Sequence, residues 1–84
     1  MRVIMFDRQS IFIHGAKCSL QKLIPEIDLT GTRQTDELWA HLSASPSAIV
    51  MIDGYLIHDN GVALPEEIMN RFPTAREVLV LTKK

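Results

Sequence analysis

Ser47-Ala48-Ile49-Val50-Met51-Ile52-Asp53 is the stretch on which the fold turns. From Ala48 to Ile52 the residues are apolar without alternation, and the run ends abruptly on a carboxylate. A strand with one face in water alternates apolar and polar residues, whereas a strand covered on both faces reads as an unbroken apolar run. Val3–Phe6 and Val78–Leu81 read the same way, each bounded by polar residues. The segments between them carry helical signals, so the strands are joined by crossovers, and the pattern is that of βαβ units around a parallel sheet.

Working outward, a first helix is expected from about Ile11 to Leu23, N-capped by Ser10, with Phe12, Ala16, Leu20 and Leu23 forming its buried stripe. Pro25 stops it. Ile27, Leu29 and Gly31 then alternate with Asp28, Thr30 and Thr32, as in an edge strand. Thr35 is expected to cap a short helix carrying Leu38, Trp39 and Leu42. A further helix is punctuated by Pro65 in its first turn, by Glu66 and Glu67 at the positive end of its dipole, and by Arg71 at the other. Phe72-Pro73 ends it. The order is β-α-β-α-β-α-β, one domain spanning residues 1–84, with no internal repeat and no linker.

The bulk numbers exclude several classes. A chain of 84 residues is small, burying only about 60–65% of its unfolded surface. A net charge of -1, without a basic stripe, leaves nothing to neutralise nucleic-acid phosphates. No apolar run approaches the ~20 residues of a membrane span. A single cysteine, Cys18, rules out an internal disulfide and fits a reducing, cytoplasmic compartment. Its thiol is expected to be buried or half-buried and inert. His14, His41 and His58 lack a His-x-x-x-His spacing, and His58-Asp59-Asn60 reads as a solvated loop. Phe72, Met51 and Met69 read as core, and Trp39 as packing.

The chemistry is expected where the strands end. Val3–Phe6 is followed by Asp7, Ala48–Ile52 by Asp53 and Val78–Leu81 by Thr82. If these strands are parallel neighbours, two carboxylates and a hydroxyl gather at the carboxyl edge of an open α/β sheet, where ligands bind.

In order and spacing, the segments resemble a known family. Arg2-Val3-Ile4-Met5-Phe6-Asp7 with Ser10-Ile11-Phe12, Ser47 to Asp53 with Gly61 beyond it, Arg71-Phe72-Pro73-Thr74-Ala75-Arg76, and Val78-Leu79-Val80-Leu81-Thr82 are similar to response-regulator receiver domains of NarL/LuxR-type bacterial transcription regulators. The resemblance implies an α/β, flavodoxin-like (CheY-like) doubly wound parallel sheet of order 2-1-3-4, lacking the last α-β-α of a full receiver. It makes Asp53 the phospho-acceptor, taking a phosphoryl group from a histidine kinase or phosphotransfer protein. Asp7, Asp53 and the backbone carbonyl of Tyr55 would hold Mg²⁺, and Thr82 would contact the phosphate in the switch. The implied partners are a second copy or a partner regulator, and DNA only through a C-terminal domain beyond these residues. An unpaired edge at Val78–Leu81 would favour self-association.

The departures are specific. Arg8 stands where the family carries a second acid, Ile57-His58 replaces Pro-Gly, and Lys83 and Lys84 come too early to serve as the phosphate-contacting lysine. Mg²⁺ demands oxygen ligands and Arg offers none. The Arg8 guanidinium is therefore expected to take the metal's place and pair with Asp53, Asp7 or both. This makes the chain an atypical receiver, a non-enzyme acting through protein–protein contact, with a conventional Mg²⁺-dependent receiver as the alternative. A small phosphohydrolase with a strand-end Asp nucleophile is the alternative of another class. Asp7-Arg8-Gln9 and Asp53-Gly54-Tyr55 both lack the Asp-x-Asp it requires, and no Gly-rich turn supports nucleotide binding.

Overall fold

In a computed structural model, residues 1–54, 58–59, 62–75 and 77–81 are described. Strands β1 (Arg2–Phe6), β2 (Asp28–Thr32), β3 (Ile49–Asp53), β4 (His58–Asp59), β5 (Val62–Ala63) and β6 (Glu77–Leu81) accompany helices α1 (Ser10–Leu23), α2 (Thr35–Ala44) and α3 (Leu64–Arg71). The main sheet has the order β2-β1-β3-β6, and all its pairings are parallel. In sheet terms this is the expected 2-1-3-4, with Val78–Leu81 lying in β6. β4 and β5 form a separate antiparallel pair, with His58 opposite Ala63. The expected loop at His58-Asp59 is thus half of a small hairpin. Strands of two residues carry no periodicity by which to read them.

Alternate residues of each central strand serve opposite faces. Ile4, Phe6, Val50 and Ile52 join Leu38 and Leu42 of α2 and Leu64 and Ile68 of α3 in one core. Val3, Met5, Ile27 and Leu29 form the other, against Ile13, Ala16 and Leu20 of α1 and the half-buried Ile49 and Met51. Helices on both faces of a parallel sheet make the doubly wound α/β architecture.

Two expectations about α1 fail. Its stripe is Ile13, Ala16 and Leu20, continued by Ile24, while Phe12 is 44% and Leu23 77% exposed. Gly31 explains the choice: a Cβ there would stand 2.2 Å from Ile13 Cγ2, so α1 settles onto β2 where a side chain is missing. Ser10 and Thr35 also lie inside their helices, and Gln9 and Gln34 occupy the cap positions without a side-chain cap bond.

On the α2–α3 side, Trp39 stacks on Phe72 with centroids 6.1 Å apart, and the Arg71 guanidinium lies 4.4 Å from the Trp39 ring centroid. Trp39 and Phe72 therefore pack as expected, whereas Met69, at 45% exposure, does not belong to the core. No helix among the described residues is long and apolar enough to cross a membrane.

Candidate functional site

β1 and β3 are paired in register, Phe6 opposite Ile52, and each strand runs directly into an aspartate. Asp7 and Asp53 therefore lie on neighbouring strands at one edge of the sheet, and both are buried, at 0% and 6% exposure. Across the next ladder Asp53 pairs with Leu81. Thr82 and Tyr55 lie outside the described residues, as do Ile57, Gly61, Lys83 and Lys84.

The turn after β1 is built by Asp7 itself. Its backbone N–H donates to the Thr32 carbonyl at 3.1 Å, extending the β1–β2 pairing by one residue. Its Oδ1 accepts the Gln9 N–H at 2.8 Å, an Asx-type contact that launches α1. On the neighbouring strand the buried Thr32 hydroxyl donates to the Gln34 carbonyl at 3.1 Å, shaping the entry to α2.

The turns that follow β1 and β2 are basic, with Arg8 in the first and Arg33 in the second. Arg33 Nε donates to the Arg8 backbone carbonyl at 3.0 Å. Arg8, Arg33, Gln34, Thr35 and Glu37 line an open hollow of ≈ 570 Å³. The ion pairs among the described residues are Arg2–Asp28 at 2.8 Å and Arg71–Glu67 at 2.6 Å, and Arg8 belongs to neither. The expected clasp of Arg8 on Asp7 or Asp53 is thus replaced by a solvent-facing guanidinium beside Arg33. The physical reason is desolvation: drawing a third charge down to the buried carboxylates costs several kcal/mol, roughly, before any attraction is recovered. Arg33 escaped the sequence reading, although it follows the second strand much as Arg8 follows the first.

As a magnesium site the donor set is short. Asp7 and Asp53 supply carboxylate oxygens, but one oxygen of Asp7 is engaged by Gln9 and the next residue is an arginine. Among the described residues no three His, Cys, Asp or Glu side chains gather where they could hold a metal.

A second group was also missed. Cys18, expected to be buried or half-buried, is exposed. Its Sγ lies 3.6 Å from His14 Nε2 one helical turn away. The signal was the His-x-x-x-Cys spacing, which a search for paired histidines passes over.

No protein-family model matches the sequence. A putative HTH-type transcriptional regulator, YhjB of Escherichia coli (strain K12), is 43% identical over 82 residues, covering 98% of this chain and 41% of that protein. Among solved structures, RcsB from Salmonella enterica serovar Typhimurium, bound to promoter rprA in the presence of phosphomimetic BeF3-, matches with a TM-score of 0.77 at 23% identity. The match covers 100% of this chain and 48% of RcsB. The chain thus spans less than half the length of either protein.

Proposed function

We propose that this chain is a receiver-like domain of the NarL/LuxR regulator type, the cytoplasmic signal-input part of a longer transcription regulator, and that it works by protein–protein contact, a reading supported by its likeness to YhjB and by its fold. One observation carries this reading. Exposed Arg8 directly follows the buried Asp7 and is bonded through its backbone carbonyl to Arg33, which lines the same hollow, so positive charge stands one residue from a carboxylate that a receiver would use to hold a cation. Coulomb repulsion between a guanidinium and Mg²⁺ lowers metal occupancy, and without the metal the charge on a transferring phosphoryl group goes uncompensated. Asp53 keeps the acceptor position, but its burial and its neighbours serve the shape of the contact surface more than phosphotransfer. The partner is a second copy or a conventional regulator, and DNA is engaged by a helix-turn-helix domain outside these residues, of the kind named in YhjB. The domain itself is not an enzyme.

The second reading, a conventional phospho-accepting receiver, is favoured by the placement of Asp7 beside Asp53 on adjacent strands. Acetyl phosphate with and without Mg²⁺, followed by intact mass, separates the two. The contact reading expects no stable phosphoryl adduct under either condition. A metal-dependent adduct lost in Asp53→Asn would establish the conventional reading and remove the first.

A further inference from the structure

We propose that the hollow at the turns after β1 and β2 binds a small sugar phosphate, with Arg8 and Arg33 taking the phosphate and Glu37 a sugar hydroxyl. Arg8, Arg33, Gln34, Thr35 and Glu37 line it, and its volume is ≈ 570 Å³. Sites for small molecules run from about 300 to 1,000 Å³. The hollow therefore accommodates a phosphate ester, whereas a bare phosphate ion leaves most of it empty.

Two arginines at one hollow are the starting observation. They come from different turns and are brought together by the β1–β2 ladder, in which Phe6 stands opposite Thr32. Arg33 Nε donates to the Arg8 carbonyl at 3.0 Å, which holds one arginine against the backbone of the other. That bond engages no N–H of the Arg8 guanidinium, and it leaves the terminal nitrogens of Arg33 outside it. Neither arginine enters an ion pair among the described residues. Like charges at one hollow repel, and a dianion placed between them replaces that repulsion with attraction. Guanidinium forks also match phosphate oxygens in bidentate pairs.

The rest of the lining narrows the ligand. All five lining residues are polar or charged, so no apolar side chain offers a nucleobase a surface. Glu37 sets a carboxylate among the cations. Its Oε1 lies 3.5 Å from the Thr32 hydroxyl, a long contact, because that hydroxyl donates to the Gln34 carbonyl at 3.1 Å. An ionised carboxylate only accepts hydrogen bonds, so it opposes a polyphosphate and suits a hydroxyl donor. A phosphate monoester that carries hydroxyl groups answers both demands. The inference does not rest on whether Asp53 accepts a phosphoryl group, since it asks only that the two guanidiniums be charged.

Calorimetric titration of the chain with ribose 5-phosphate, ribose, inorganic phosphate and adenosine monophosphate, in EDTA at low ionic strength, tests it. The expected result is one ribose 5-phosphate per chain, bound at least about tenfold tighter than inorganic phosphate and weakened by added salt. Ribose does not bind, and adenosine monophosphate binds no tighter than ribose 5-phosphate. Arg8→Gln, which keeps the backbone carbonyl that Arg33 uses, weakens binding by about tenfold or more, as loss of a charge-assisted hydrogen bond does. Glu37→Gln narrows the preference for the ester over inorganic phosphate. Lys17→Gln removes the same charge from the exposed side of α1 and binds as the wild type does. No binding of ribose 5-phosphate, wild-type affinity in Arg8→Gln, an equal loss in Lys17→Gln, or tighter binding of adenosine monophosphate would each overturn the proposal.

Discussion

Arg33 is tied through its Nε to the backbone carbonyl of Arg8 at 3.0 Å, so a hydrogen bond bridges the turn after β1 and the turn after β2. The contact is between a side chain and a main-chain oxygen, which leaves the Arg8 guanidinium uncommitted to it. Replacing Arg8 therefore changes the charge of the rim without removing the bond that organises it.

The first prediction follows. Arg8→Asp exchanges a cation for a carboxylate beside Asp7 and Asp53, and Mg²⁺ binding rises by at least about tenfold, roughly 1.4 kcal/mol. Magnesium titration by calorimetry reads the change. Unchanged affinity would mean that Arg8 is not what keeps the metal out.

Asp7 separates two roles by its choice of replacement. Asp7→Asn keeps a side-chain oxygen to accept the Gln9 N–H, whereas Asp7→Ala leaves that donor without its partner. Urea denaturation should find the alanine variant less stable than the asparagine one by about 1 kcal/mol, the usual size of a lost cap-type contact. Equal stabilities would show that the bond contributes nothing net.

Gly31→Ala tests the seating of α1. Its new methyl collides with Ile13 Cγ2, and overpacking of this kind costs about 1–3 kcal/mol. For a domain of this size each kcal/mol lowers the midpoint by roughly 4–8 °C. Gly31→Ala combined with Ile13→Ala, which removes the Cγ2 that the new methyl meets, should cost less than the two single changes added together. Thermal melts of the two single variants and the double decide it.

What could be read from the letters was the part of the molecule governed by long runs. Ala48–Ile52 had to be covered on both faces, and Val50 and Ile52 are fully buried. Parallel pairing and the meeting of Asp7 with Asp53 followed from that single property. The phase of α1 did not follow, because two apolar stripes overlap in it. Phe12-Ala16-Leu20-Leu23 and Ile13-Ala16-Leu20-Ile24 share two members, and only the gap at Gly31, a tertiary feature, selects the second. The rim was half legible. Arg8 stood out as a departure from a resemblance, while Arg33 departs from nothing and becomes visible only when β2 is placed beside β1.

α1 carries no fully buried side chain, whereas β1 and β3 between them carry seven residues that water does not reach. Stability is therefore unevenly shared, and amide exchange should report it: α1 protons exchange through openings cheaper than global unfolding, and those of β1 and β3 only with the whole molecule. Loosening of this helix would leave the strands that lead into Asp7 and Asp53 paired, because their hydrogen-bonded ladder does not run through it.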